Sequence, residues 1–152
     1  MSRDAILHKT AAQFFQVFSR MEYALKASGY NNGDGAAEAN WKKFALAVAS
    51  CVNSPSSDEI SEAITFLLKE PPKKQFIVSG ALEWRDALAN TGNTADDLFV
   101  YIRRVRNNLF HGGKFNGHWF APDRSEKLMG ASLTVMTWVI ELDPNVQAAY
   151  HG

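Results

Sequence analysis

The residues best suited to chemistry lie in one short stretch, Arg103 to Lys114, which reads RRVRNNLFHGGK. It holds one histidine, no carboxylate and four cations, which are Arg103, Arg104, Arg106 and Lys114. A guanidinium stays charged at every physiological pH and can hold a phosphate through two parallel hydrogen bonds. Histidine exchanges a proton near neutral pH. The stretch is therefore a candidate anion site with an acid/base group beside it.

A purely structural explanation of the same stretch is also open. Arginine and histidine near the C-terminus of a helix satisfy unpaired carbonyls and complement the helix dipole, and glycine commonly follows as a cap. However, Arg103, Arg104 and Arg106 would project to several sides of a helix. They would place more positive charge around the helix end than capping requires. Asn107 and Asn108 are poor choices for a helix interior, so another requirement is expected to keep amides there. Both features favour a functional site.

Length and composition predict a single domain over residues 1–152, because the chain supports one ordinary core. With 46% hydrophobic and 21% charged residues, it is typical of globular proteins. The 16 basic residues equal the 16 acidic ones. No global field would therefore draw the protein to nucleic acid or to an anionic membrane, and any phosphate binding must be local.

The sequence also predicts a cytoplasmic protein without a membrane partner. No apolar run is long enough to span a bilayer, and the first residues lack the apolar core of a secretion signal. Cys51, the only cysteine, falls in an apolar helical pattern with no cation or histidine close in sequence. It is therefore predicted to be a buried structural thiol.

Apolar residues at helical spacing predict an all-α fold, an up-and-down bundle of four to five principal helices plus a short C-terminal helix. The expected boundaries are Asp4 to about Ser28, roughly Ala37 to Val52, a third helix from Ser57 to Pro71-Pro72, a fourth from its cap Thr94 to Gly112-Gly113, a fifth from its cap Asp123, and a short helix after Asp143-Pro144. Residues 75–93 stay open. Phe76 to Val78 fit one short strand without a partner, whereas Ala81 to Ala89 favour a short helix.

Several kinds of site are not supported by the sequence. The four histidines, His8, His111, His118 and His151, never have the spacing that places two imidazoles on one helix face. No Gly-rich phosphate loop and no nucleophile elbow is present. We therefore expect no protein metal site and no cofactor.

The string Arg106-Asn107-Asn108-Leu109-Phe110-His111 resembles the signature of the HEPN superfamily. In that signature an arginine is followed by a polar residue, often Asn, and a few residues later by a histidine. The position also matches, late in a helical bundle and before one more long helix. The resemblance extends over the whole chain at the level of helical architecture. At the level of individual residues it is limited to this segment.

Members of this superfamily are commonly metal-independent endoribonucleases, often toxins or antiviral effectors. The resemblance implies RNA as substrate, with His111 as general acid/base for the 2′-hydroxyl and Arg106 as a clamp on the charge of the transition state. Asn107 would orient the histidine or the phosphate. The products would be a 2′,3′-cyclic phosphate and a 5′-hydroxyl.

Arg104 is a rival for the catalytic arginine, because its spacing to His111 also fits the signature. Val105 follows it where the superfamily prefers a polar residue, so Arg106 is favoured. Arg103, Arg104 and Lys114 would then contact phosphates of the RNA. Outside the motif, Trp119 and Phe120 are expected in the core although they could stack a base, and Lys69, Lys73 and Lys74 are interpreted as a solvated basic group.

Superfamily members act as dimers in which the motifs of two protomers meet, and helix geometry agrees with that arrangement here. On an ideal helix, residues 106 and 111 lie about 140° apart, so one motif does not aim both groups at one point. A homodimer with a composite site is expected, with an antitoxin or regulatory protein as a further partner. The alternative is a catalytically silent HEPN-like module that binds nucleotide, RNA or a partner protein. A purely structural bundle is the third possibility.

Overall fold

The computed structural model describes residues 2–111, 114–115, 118–119 and 121–152, and the side chains of residues 2–110 and 121–152. The elements in chain order are α1 (Arg3–Ala27), α2 (Trp41–Asn53), α3 (Asp58–Lys69), β1 (Lys74–Val78), β2 (Ala81–Arg85), α4 (Thr94–His111), β3 (Lys114–Phe115), β4 (His118–Trp119), α5 (Pro122–Ile140) and α6 (Pro144–His151). The predicted helical bundle with a short C-terminal helix is confirmed. Two small antiparallel hairpins, β1–β2 and β3–β4, interrupt it.

The core forms where the apolar stripes of the helices meet. α1 packs against α5 and α6, α2 packs against α4, and α3 packs against α5. Stacked aromatic rings join α2 to α4, with the ring centres of Phe44 and Phe99 5.7 Å apart and nearly parallel. Trp41 contacts Phe99 and also Phe18 of α1. This cluster fixes the position of α4, the helix that carries the candidate motif.

Two predicted helix starts are confirmed by their caps. The Ser57 hydroxyl accepts a hydrogen bond from the Ile60 amide at the start of α3. Asp143 caps α6 through the amides of Asn145 and Val146, and Pro144 occupies the first turn. These caps could be predicted because each satisfies free amides of the first turn within the local sequence.

Three other starts differ from the prediction. α2 begins at Trp41 and not at Ala37, because Asn40 accepts from the Lys43 amide and supplies the cap. α4 is capped by Asn93, which accepts from the Asp96 amide, and not by Thr94. In α5 the cap position is Ala121, without a side-chain bond, and Pro122 starts the helix. Asp123 therefore lies in the first turn, where it pairs with Arg3 of α1.

The segment that the sequence left open forms the β1–β2 hairpin. Its register places Ile77 opposite Leu82. Ser79 and Gly80 connect the strands with positive φ angles of 50° and 81°, the combination found in the tight turns that suit twisted hairpins. This turn brings β2 back against β1, so the strand predicted at Phe76 to Val78 has a partner after all. The predicted short helix from Ala81 to Ala89 is wrong, because β2 occupies its first five residues.

Cys51 is exposed, so its predicted burial is wrong. The buried stripe of α2 runs through Trp41, Phe44, Ala45 and Val48 and then continues through Val52. Cys51 is three residues beyond Val48, but the helix turns this position toward solvent. None of the helices in the described part of the chain is long and apolar enough to cross a membrane.

A hydrogen bond between Tyr30 and Asp143 ties the loop after α1 to the start of α6, with the Tyr30 hydroxyl donating at 2.6 Å. Burial, together with this bond and the charge of Asp143, raises the pKa of Tyr30 from 10.0 to about 12. A raised folded-state pKa means that the stabilisation is complete below pH 10 and is lost as the pH rises toward 12.

We therefore expect Tyr30→Phe to lower stability by about 1 kcal/mol at pH 8. The corresponding fall in Tm is about 2–4 °C for a chain of this size. Thermal unfolding followed by circular dichroism, repeated from pH 8 to pH 12, measures this difference. The gap between wild type and variant should narrow above pH 10, and a gap independent of pH would contradict the assignment.

Candidate functional site

α4 presents the candidate motif because its apolar seam is buried. Leu98, Ile102 and Val105 lie in the core, as their spacing predicts, and Leu109 packs against it. The arginines between them must leave the helix on other faces. The helix is described through His111, whereas Gly112 and Gly113, which were predicted to end it, lie outside the described residues.

Arg104 holds the β1–β2 hairpin at its base. Its Nη1 donates to the carbonyl oxygens of Pro72 at 3.0 Å and Ala87 at 2.6 Å, which flank the two strands. Asn108 donates to the Lys73 carbonyl at 2.7 Å and strengthens the same attachment. Burial lowers the pKa of Arg104, and no carboxylate of the described residues forms a salt bridge with it. Sequence reasoning missed this anchoring role.

Arg103 is held against the aromatic cluster of the core. Its Nε donates to the Phe99 carbonyl at 3.1 Å, and its guanidinium carbon lies 5.7 Å from the centre of the Trp41 ring. Burial lowers the pKa of Arg103, while the negative charges of Asp96 and Glu22 act in the opposite direction. The group is thus a partly desolvated cation fixed at its Nε.

Arg106 lies on a different face of α4. Its Nη1 donates to the Asn107 side-chain oxygen at 3.1 Å, and its guanidinium carbon lies 4.9 Å from the centre of the Phe110 ring. Phe110 is 65% exposed and meets Phe15 of α1 edge to face. Arg106 therefore stands on an apolar surface between α1 and α4, and Asn107 contacts it directly.

A cavity of about 340 Å³ lies between α4 and β1, and we call it the basic groove. It is lined by Lys74, Gln75, Val100, Arg103, Arg104, Asn107 and Asn108. Three of the predicted site residues, Arg103, Arg104 and Asn107, are thus brought together, but Arg106 does not line the groove. Lys74 was interpreted as solvated, and its place beside the arginines could not be anticipated without the hairpin.

A second cavity, of about 270 Å³, is mainly apolar and lies on the other side of the hairpin base. Trp84 of β2, Val105 and Leu109 of α4, and Leu128 and Met129 of α5 form much of its wall. Asn108 lines both cavities, so the two lie next to each other beside the hairpin base.

Other predicted site residues lie partly or wholly outside the described residues. The backbone of His111 is the last described position of α4, one helical turn after Asn107. The side chains of His111, Lys114 and Trp119 lie outside the described residues, as does Phe120 altogether. In the described part of the chain, no group of three or more His, Cys, Asp or Glu residues could hold a metal ion.

Comparison of the chain with protein-family models, with curated proteins and with solved structures gives no match. The function must therefore be inferred from the residues and their geometry.

The anchoring role of Arg104 gives a stability prediction. Arg104→Met keeps the apolar stem but removes both charge-assisted bonds, so we expect a loss of about 2 kcal/mol. For this chain length, the Tm should fall by about 4–8 °C. Differential scanning calorimetry measures this change, and hydrogen exchange should show faster exchange in β1 and β2.

Arg106→Met is the matched control, since the Arg106 side chain donates only to its neighbour Asn107 among the described residues. The control should unfold within about 1 °C of wild type, as expected for surface substitutions. Equal Tm values for the two variants would show that Arg104 does not anchor the hairpin.

Proposed function

We propose that this protein is a homodimeric, metal-independent endoribonuclease of the HEPN type. The observation that best supports the proposal is the hydrogen bond between Arg106 and Asn107, one helical turn before His111. It places a cation and an amide side by side at the end of the helix that also lines the basic groove. A phosphate chain bound along this helix would reach the acid/base residue.

The chemistry needs no metal because RNA carries its own nucleophile. Histidine exchanges protons near neutral pH, so His111 would accept the proton of the 2′-hydroxyl. The 2′-oxygen then attacks the adjacent phosphorus and the bond to the 5′-oxygen breaks. The leaving 5′-oxygen takes a proton from water, and His111 later releases the accepted proton to solvent. Arg106 has further N–H donors to stabilise the charge that builds on the phosphate oxygens. Asn107 would hold Arg106 in position.

Two copies of the motif are required because Arg106 and His111 diverge by about 140° around one helix. A twofold axis beside the end of α4 would bring Arg106 of one protomer toward His111 of the other. Phe110, which is exposed next to Arg106, and Phe15 offer an apolar surface for such a contact. Self-complementary surfaces of this kind are usual in twofold dimers.

A silent binding module is the second candidate, and one observation favours it. The basic groove contains Arg103, Arg104 and Asn107 but neither Arg106 nor an acid/base residue among its described lining. Such a groove could hold RNA, a nucleotide or an acidic partner without cleaving anything. In a toxin or defence setting, an antitoxin or regulatory protein would be a further partner.

The experiment that separates these functions uses the wild-type protein with single-stranded RNA and DNA of the same sequence in EDTA. The nuclease should cleave only RNA and should leave 2′,3′-cyclic phosphate and 5′-hydroxyl ends, which mass spectrometry identifies. Binding without cleavage would favour the silent module. Neither binding nor cleavage would contradict both functions.

A further inference from the structure

The lining of the basic groove is unbalanced in charge. Lys74, Arg103 and Arg104 contribute cations, while Gln75, Asn107 and Asn108 contribute amides and Val100 is the only apolar residue. No carboxylate is among these residues, although the whole chain has as many acidic as basic side chains. A cavity with this composition is suited to an anion.

Both arginines are fixed and still have donors to offer. Arg103 uses its Nε on the Phe99 carbonyl, and Arg104 uses its Nη1 on the carbonyls at the hairpin base. Within the described part of the chain, the Nη groups of Arg103 and the Nη2 of Arg104 have no acceptor. Guanidinium groups held in this way lose little conformational entropy when they bind a ligand.

The two arginines are also partly desolvated. Burial lowers the pKa of both, and neither forms a salt bridge with a described carboxylate. The negative charges of Asp96 and Glu22 offset part of this effect at Arg103, whereas no described carboxylate does so at Arg104. A cation that has lost water interacts strongly with an anion that enters its site. Lys74, at the start of β1, is exposed and can approach such an anion from the opposite wall.

We propose that Lys74 of β1, with Arg103 and Arg104 of α4, binds a backbone phosphate of single-stranded RNA next to the cleaved bond. The substrate assignment depends on the proposed nuclease function. Asn107 connects the two places, because it lines the groove and also accepts the hydrogen bond from Arg106. A chain seated in the groove would continue past Asn107 toward Arg106.

The test measures binding of a fluorescent 2′-O-methyl RNA oligomer, which lacks the nucleophile and stays intact. Lys74→Ala should weaken binding about five- to tenfold at low salt, and the slope of log affinity against log salt should fall by about 1. Lys42→Ala removes the same charge from an exposed site that lines neither cavity and should change affinity less than about twofold. Circular dichroism verifies that both variants are folded.

Three outcomes distinguish this site from the nuclease itself. If Lys74→Ala and Lys42→Ala bind the oligomer equally while the wild type cleaves RNA, the groove assignment is wrong and the nuclease stands. If binding depends on Lys74 but the wild type leaves RNA intact, the assignment of the groove as an RNA-binding site is supported and the proposed nuclease function is wrong. If adenosine monophosphate binds as tightly as the oligomer, and does so through Lys74, the groove takes a terminal phosphate and the assignment to an RNA chain is overturned.

Discussion

His111→Ala should lower the rate of RNA cleavage by about 10²–10⁴-fold, the usual contribution of a general acid or base. The 2′-hydroxyl cannot attack efficiently until its proton is removed, and no other group of the motif titrates near neutral pH. Binding of the 2′-O-methyl oligomer should be retained, because the groove cations are unchanged. Single-turnover cleavage, measured between pH 5 and pH 8, should lose the dependence on pH that histidine catalysis gives the wild type.

His151→Ala is the matched control for this experiment. His151 is exposed on α6, where it pairs with Glu141 at 2.8 Å, and it belongs to no candidate site. The control should cleave RNA at the wild-type rate. Equal rates for His111→Ala and His151→Ala would remove His111 from the mechanism and leave the binding module as the better function.

Mixing two inactive variants should restore cleavage if the site is shared between protomers. Arg106→Ala is expected to cleave RNA about 10²–10³-fold more slowly, because the guanidinium that stabilises the charge of the transition state is missing. A mixed dimer of Arg106→Ala with His111→Ala has one site with both wild-type residues and one with neither. After random exchange of protomers, about a quarter of wild-type activity should return, because half of the dimers are mixed and each keeps one of its two sites.

Each variant measured alone at the same total concentration is the reference for this recovery. Subunit exchange is verified by light scattering and by energy transfer between differently labelled protomers. No recovery despite proven exchange would contradict a site composed of Arg106 from one protomer and His111 from the other. Arg106 and His111 would then have to act within one protomer.

The helices could be predicted because their information is local. Leu98, Ile102 and Val105 repeat at helical spacing, and their burial follows from that period alone. The β1–β2 hairpin could not be predicted in the same way. Its strands depend on each other across the turn at Ser79 and Gly80. The pairing of Ile77 with Leu82 exists only once both strands have formed, and no periodicity within either strand indicates it.

The candidate site was predictable in composition but not in geometry. The sequence indicates that arginines gather near the end of α4, yet the carbonyls that bind Arg104 lie 32 and 17 residues away. Lys74 joins the groove because the β1–β2 hairpin, whose base is bonded to Arg104 and Asn108, lies beside α4. For the same reason, the sequence could not distinguish the anchoring Arg104 from Arg106, which contacts the nearby side chains of Asn107 and Phe110 in the described part of the chain.

The exposed thiol of Cys51 has a practical consequence for testing the dimer. Because the chain has a single cysteine and it is exposed on α2, a maleimide reagent attaches one probe per chain without any substitution. In a twofold dimer, two identical spin labels at this position are separated by one distance. That distance, measured by pulsed electron resonance in frozen solution, limits how the two bundles can be arranged around α4.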